Sequence, residues 1–138
     1  MREGCHAIAF GLSAAMVELG AGAAQAEAVD VPSGQPVEFL ERLIEPDNYD
    51  GMTWRFRFVA PQIARDGGTV SLETAIADMD ALCAGFALTR FNSTGALPSQ
   101  VIISLADART VHGVAAPGVT QFFEAYAVED NTCIWKGF

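Results

Sequence analysis

The fold is decided by the stretch MTWRFRFVA at residues 52–60, which alternates between apolar and polar side chains. The two kinds of side chain fall on opposite faces of an extended chain: Trp54, Phe56 and Phe58 on one, Thr53, Arg55 and Arg57 on the other. A period of two is typical of a half-buried strand. Residues 37–45 alternate more loosely, and the turn at 46–51 ends in Asp50-Gly51. The sequence therefore predicts a β-hairpin here.

An amphipathic helix is predicted after the hairpin. Apolar residues recur at spacings of three and four from Leu72 to Phe86, which is the pattern of a helix that buries one face. Ser71 is a suitable N-cap because its hydroxyl can accept a hydrogen bond from the first turn. Three acidic residues are expected on or near the solvent-exposed side: Glu73, Asp78 and Asp80.

Two further strands are predicted in the C-terminal half. Residues 100–106 form a near-continuous apolar run, which favours a central strand. Residues 120–128 are rich in aromatic side chains, and the polar stretch at 107–119 forms the longest loop. The fold class predicted for the chain is α+β: a small antiparallel sheet in β-β-α-β-β order, with one amphipathic helix packed on one face. A disulfide is predicted to close this fold. A short apolar tail at 132–135 follows the last strand.

The first 26 residues have the three parts of a secretory signal peptide. Arg2 precedes a short apolar run at 7–17, and the small residues after that run end in Ala24-Gln25-Ala26. The run is too short to span a bilayer, which takes about 20 apolar residues. The alternative interpretation of this segment is an amphipathic N-terminal helix of a cytosolic protein.

The domain boundaries follow from the predicted cleavage between Ala26 and Glu27. Residues 1–26 are then the signal peptide, 27–36 an extended lead-in, and 37–138 a single α+β domain. On this interpretation the mature protein is periplasmic or secreted.

The cysteines agree with export. Cys5 lies in the predicted signal peptide, which leaves Cys83 and Cys133 as one pair, and neither lies in a C-x-x-C motif. Cys83 falls on the apolar stripe of the predicted helix, so a disulfide would attach the C-terminal segment to that helix. Such a bond persists in an oxidising compartment. The alternative is two buried free thiols.

Charge and ligand chemistry exclude several classes of function. The formal net charge is −9, and such a surface repels phosphate backbones and anionic lipids. We therefore predict no nucleic-acid partner and no membrane binding after signal cleavage.

The turn at 46–51 resembles a calcium loop, but Pro46 stands where its first carboxylate is needed and Arg57 where the final glutamate is needed. No metal and no cofactor is predicted.

The candidate catalytic residues are polar side chains in or near the long loop: Asp107, Arg109, His112 and Glu124. His112 is the one histidine beyond the predicted signal peptide. A Ser–His–Asp mechanism needs a poised nucleophile, but no G-x-S-x-G motif is present. The simpler interpretation of His112 is a surface loop residue.

The candidate binding residues lie on the predicted strands. Arg55 and Arg57 share the polar face of the hairpin, where they can form cross-strand ion pairs with neighbouring glutamates or a basic stripe for a carboxylate ligand. Phe122 and Tyr126 lie on a strand that carries aromatic side chains on both faces, since Phe123 is adjacent. A strand of this kind needs a second cover, which would be another envelope protein or a second copy of the chain.

Several stretches together carry a resemblance to a known family: VPSGQPV at 31–37, WRFRF at 54–58, IARDGGTV at 63–70, VIISLAD at 101–107, TQFFEAY at 120–126 and CIW at 133–135. They resemble a domain of unknown function found in small exported proteins of Rhodobacter-like alphaproteobacteria. The resemblance covers nearly all of residues 29–138. It implies a bacterial source and export, and it implies no activity, cofactor or site residue.

The sequence thus predicts a non-enzymatic periplasmic domain that binds or assists a partner. One alternative is a small periplasmic enzyme with its site in the loop at 107–119. The other is a structural component of an envelope assembly. A binding domain should show an exposed aromatic strip or an open edge strand, whereas an enzyme should bring Asp107, Arg109 and His112 together in a pocket.

Overall fold

A computed structural model describes residue 11 and residues 26–47, 51–94 and 98–137. The predicted signal peptide, apart from Gly11 and Ala26, lies outside the described residues. None of the described helices is long and apolar enough to cross a membrane.

Within these ranges six strands form one sheet: β1 Glu27–Ala28, β2 Glu38–Pro46, β3 Met52–Val59, β4 Gln100–Ala106, β5 Gln121–Glu129 and β6 Thr132–Trp135. Three consecutive helical segments link β3 to β4, and we call them together the long helix: α1 Leu72–Ala81, a π-helical segment Leu82–Ala87, and α2 Leu88–Thr94. A short 3₁₀ turn at Pro61–Ile63 precedes it. The spatial order of the strands is their order along the chain.

The predicted small antiparallel β-β-α-β-β sheet is wrong. β3 and β4 run parallel, with Trp54 opposite Val101, whereas the other neighbouring pairs are antiparallel. The sheet is mixed because the long helix is a crossover connection, which returns the chain to the same end of the sheet. The predicted lead-in and tail also contribute the two outer strands, β1 and β6.

The core lies between the long helix and one face of the sheet. The aromatic face of β3 packs against the helix, with ring centroids 4.7 Å apart for Trp54 and Phe91 and 5.2 Å apart for Phe58 and Phe86. Phe56 is fully buried between these rings. Burial of one large aromatic side chain contributes roughly 1.5–3 kcal/mol, so this face fixes which side of the sheet the helix covers.

The helix begins as its sequence indicates and then widens. The Ser71 hydroxyl accepts a hydrogen bond from the Thr74 amide at 3.3 Å. In the π-helical segment the Leu88 amide bonds the Cys83 carbonyl, five residues earlier. A π turn of this kind changes the angular position of the residues that follow. Cys83 is fully buried and points to β6.

The predicted disulfide between Cys83 and Cys133 is confirmed, with 6.2 Å between the two Cα atoms. It joins the π-helical segment to the middle of β6. The two cysteines are 50 residues apart in sequence. Because β6 is an outer strand of the sheet, the bond connects the buried face of the long helix to the edge of the fold.

The prediction that Asp78 lies on or near the solvent-exposed side of the helix is wrong, because Asp78 is fully buried. Its carboxylate accepts hydrogen bonds from the Ser33 amide at 2.9 Å, the Ser33 hydroxyl at 2.5 Å and the Gln35 side-chain amide at 2.7 Å. The loop before β2 therefore folds over this side of the helix. Helical periodicity cannot indicate such a cover, because the covering residues lie more than 40 positions earlier in the chain.

Candidate binding cleft

A cleft of about 500 Å³ opens between the long helix and the β5–β6 hairpin. Its lining comes from two elements: Asp80, Ala84 and Leu88 of the helix, and Tyr126, Asn131, Thr132, Cys133 and Trp135 of the hairpin and its turn. The small side chain of Ala84 leaves space on the helix side. The volume of the cleft falls within the range of roughly 300–1,000 Å³ that ligand pockets usually have.

The polar centre of the cleft is the hydrogen bond between Tyr126 and Asp80. Tyr126 is only 2% exposed, yet its hydroxyl reaches the cleft and donates to Asp80 Oδ1 at 2.6 Å. Asp80 itself is exposed. This bond fixes the orientation of the Asp80 carboxylate and leaves its second oxygen for another donor.

Burial raises the pKa of the Tyr126 hydroxyl far above its usual value, and the bond to Asp80, the charge of Asp80 and the charge of Glu124 raise it further. Each of these disfavours the phenolate: burial removes its hydration, and two carboxylates repel it. Tyr126 therefore remains a hydrogen-bond donor throughout the physiological pH range.

Trp135 forms the outer wall of the cleft and is held by Glu124. Trp135 lies opposite Tyr126 in the β5–β6 ladder, and its side chain is 59% exposed. The indole N–H donates to Glu124 Oε2. Glu124 is buried and lies two residues before Tyr126, on the same face of β5. It therefore orients the indole rather than lining the cleft.

Within the described ranges, the glutamates at the β1–β2 end of the sheet are ion-paired, whereas the carboxylates near the cleft are not. The glutamates of β1 and β2 have arginine partners: the guanidinium of Arg90 lies 2.6 Å from the Glu27 carboxylate, that of Arg109 lies 3.6 Å from Glu38, that of Arg57 bonds Glu41, and that of Arg55 lies 3.8 Å from Glu45. In the part of the chain that the structure describes, no arginine, lysine or histidine forms an ion pair with Asp80 or Glu124. Asp80, the one carboxylate among the residues that line the cleft, therefore has no cation of its own in the described residues.

A family model for a family of unknown function, DUF6497, matches residues 13–138. The chain belongs to this family. No curated protein and no solved structure matches it. For this DUF6497 chain the family name carries no activity, so function has to be argued from its geometry.

The candidate catalytic residues of the long loop in this DUF6497 chain do not come together. Asp107 joins the two ends of the loop, since its carboxylate accepts from the Thr120 amide at 3.2 Å. Arg109 and His112 contact opposite ends of β2, at Glu38 and Glu45. Seven residues of extended strand separate those ends by about 20 Å. Glu124, the fourth candidate, lies on the helix-covered face of the sheet, because it is opposite Ile103.

The arginines of β3 lie on the face that the helix does not cover, which we call the outer face. Arg57 is buried there, pairs with Glu41 directly across the ladder, and donates to the Thr110 carbonyl at 3.0 Å and its hydroxyl at 2.6 Å. Arg55 approaches Glu45 at 3.8 Å. The loop at 107–120 thus crosses the outer face and covers Arg57.

The two aromatic candidates on β5 are separated. Phe122 is half-buried against the core, whereas Tyr126 reaches the cleft.

Among the described residues no group of three His, Cys, Asp or Glu side chains is arranged to hold a metal ion. The sequence interpretation missed Asp80 and Trp135 as site residues. The available signal was a tryptophan two residues after a disulfide cysteine on a short strand.

A pH experiment tests the buried state of Tyr126. The unfolded tyrosine loses its proton near pH 10, whereas the folded one keeps it, so the native state binds more protons above that pH. Stability should be unaffected by this group well below pH 10 and should fall by about 1.4 kcal/mol in total between pH 9 and pH 11, with a slope that steepens toward the higher pH. Urea unfolding at several pH values from 9 to 11 measures the slope.

The matched variant for that experiment is Tyr126→Phe, which removes the hydroxyl and keeps the ring. All other titrating groups are common to both proteins, so the difference between their slopes reports Tyr126 alone. Absorbance at 295 nm follows tyrosinate directly. Ionisation of Tyr126 in the native protein near pH 10 would contradict the buried, Asp80-bonded state.

Proposed function

We propose that this domain is a non-enzymatic binding or accessory protein whose cleft accepts a cationic group. The observation that carries the proposal is the Asp80 carboxylate, which is oriented by Tyr126 and has no cationic partner among the described residues. Every strand glutamate from Glu27 to Glu45 has an arginine as such a partner. A cation from a ligand would complete the pairing at the cleft.

Two features of the cleft favour a cationic organic group over a metal ion. The exposed Trp135 side chain supplies an aromatic surface, and indole is the strongest cation–π partner among the side chains. A single lining carboxylate falls short of the several oxygen ligands that calcium or magnesium requires. An ammonium or guanidinium on an aliphatic stem can pack its carbons on Trp135 and place its charge at Asp80.

Preorganisation supports binding at this position. The Asp80 carboxylate is already fixed by Tyr126, and the Trp135 indole is already fixed by Glu124, so a ligand orders few side chains when it binds. The acidic net charge of −9 raises the local concentration of cations. Catalysis has no such support, because the candidate catalytic residues of the long loop lie at separate places.

The test is a titration of the purified protein with N-acetyl-lysine methylamide, followed by Trp fluorescence and by amide chemical shifts. We expect saturable shifts at Thr132–Trp135. The Asp80→Asn variant should bind about five- to tenfold more weakly, since Asp80 is exposed and its ion pair is partly screened.

Two controls accompany this titration. N-acetyl-norleucine methylamide has the same stem without the charge and should give at most a weak response. Glu73→Gln removes a carboxylate from the exposed first turn of the same helix, outside the cleft, and should leave the affinity unchanged. Equal binding of the lysine and norleucine compounds, or equal affinity of the Asp80→Asn variant, would contradict the proposal.

The same proposal places the protein in the periplasm or outside the cell of a bacterium, with a Rhodobacter-like source. The disulfide between Cys83 and Cys133 supports this location, because such bonds persist in oxidising compartments and are rare in the cytosol. The cationic group would then come from another envelope protein or from a second copy of the chain.

A further inference from the structure

The edge of the sheet at β6 exposes main-chain hydrogen-bonding groups beside the cleft. The Lys136 amide donates to the Ala125 carbonyl at 2.9 Å. Bonded residues alternate in an antiparallel pair, so Ile134 also faces β5. The amide and carbonyl groups of Cys133 and Trp135 therefore point away from β5. No strand within the described ranges pairs with that side.

Natural sheets usually protect such an edge, and here only one of the two edges is protected. β1, at the opposite edge, is two residues long, and its Glu27 is paired with Arg90. β6 contains neither a charged residue nor a proline, and both Ile134 and Trp135 are exposed. Charges, prolines and very short strands are the ordinary devices that prevent pairing with another chain. The β6 edge lacks the first two of these devices.

The direction of the β6 side chains connects this edge to the cleft. Cys133 and Trp135 point to the helix side and line the cleft, while their main-chain groups point outward. In an antiparallel addition, a residue bonded to Cys133 or Trp135 has its side chain on the same face of the sheet. Its side chain would therefore extend over the cleft toward Asp80.

From this geometry we propose that an extended basic polypeptide segment adds to β6 as a seventh, antiparallel strand and inserts a lysine or arginine side chain into the cleft. The inference rests on the proposed function, because the inserted charge is the cation that pairs with Asp80. Charge complementarity selects a basic partner, because the net charge of this chain is −9. The one lysine of the chain, Lys136, does not fill the cleft itself, because its side chain alternates to the opposite face of the sheet. Main-chain bonds give such complexes their affinity, and alternate side chains give them specificity.

The probe is the blocked heptapeptide acetyl-TVTKTVT-amide, whose lysine and valines share one face. It should bind at least about tenfold more tightly than N-acetyl-lysine methylamide, because it adds main-chain bonds to the same cation. Titration calorimetry gives the affinity, and protection of the Cys133 and Trp135 amides from hydrogen exchange reports the new strand.

Two N-methylated peptides separate strand addition from simple cation binding. Methylation of the lysine and valine amides removes the donors that face β6 and should weaken binding at least about tenfold. Methylation of the internal threonine amides leaves those donors intact and should have a small effect. A norleucine in place of the lysine should lose at least about fivefold.

The outcomes distinguish the two proposals. If both methylated peptides bind as tightly as the parent while the lysine requirement remains, the strand addition is wrong and the cation cleft stands. If neither the peptide nor N-acetyl-lysine methylamide binds, the cleft proposal fails as well. Concentration-dependent protection of Cys133 and Trp135 without peptide would show pairing between two copies of the chain and would overturn the basic-segment proposal.

Discussion

Removal of the Cys83–Cys133 disulfide is expected to lower the free energy of unfolding by about 4 kcal/mol. The bond closes a loop with a sequence separation of 50 residues, and the chain-entropy model gives a loss of that size for such a loop. This is a large fraction of the 5–15 kcal/mol that typically stabilises a domain. The effect should be greatest at β6, because Cys133 is its covalent attachment to the helix.

Urea unfolding of the oxidised protein, the reduced protein and the double variant Cys83→Ala/Cys133→Ala measures this effect. The reduced protein keeps both side chains and isolates the cross-link, whereas the double variant excludes re-oxidation. Both should unfold at lower urea than the oxidised protein, and both should bind N-acetyl-lysine methylamide more weakly. Coincident unfolding curves for the oxidised and reduced proteins would show that the cross-link contributes no stability.

Substitution of Asp78 by alanine is expected to cost about 3 kcal/mol. Its buried carboxylate accepts three hydrogen bonds, and bonds to a charged acceptor contribute about 1.5–3 kcal/mol each, although such contributions are not additive. The substitution also leaves the Gln35 amide buried without its acceptor. The loop before β2 should then detach from the helix.

Asp80→Ala is the matched control, since it removes the same side chain two positions later from an exposed site. Its cost should be about 1 kcal/mol, mainly the lost hydrogen bond of Tyr126. Thermal or urea unfolding of the two variants compares them directly. A cost for Asp78→Ala no larger than that of Asp80→Ala would contradict the role given to the buried carboxylate.

The alternation at 52–60 and the apolar stripe of the helix could be predicted because each pattern records which side chains are buried. Neither pattern records direction, so the parallel pairing of β3 with β4 could not be deduced from it. The burial of Asp78 depends on Ser33 and Gln35, which approach through the loop before β2. A local pattern contains no information about a cover that comes from a distant part of the chain.

The candidate site was predictable only in part. Tyr126 was identified because aromatic side chains on both faces of a strand require an explanation. The helical position of Asp80 predicts only an ordinary exposed residue, and Asp80 is exposed. Glu124 is close in sequence to the long loop, but the pleat places its side chain on the helix-covered face of the sheet. The cleft arises where the helix and β6 are held together by one bond, and that is a property of the assembled fold.

The disulfide also decides how the C-terminus can detach. Chain ends usually fray, because their terminal residues make few contacts. Here peeling from the C-terminus can release the residues after Cys133 but stops at that cysteine while the bond is intact. A pulling force on the C-terminus, for example from a strand bound at the β6 edge, would pass through the covalent bond into the long helix. The β5–β6 pairs at and before Cys133, Val128 with Cys133 and Glu129 with Thr132, would be spared that load.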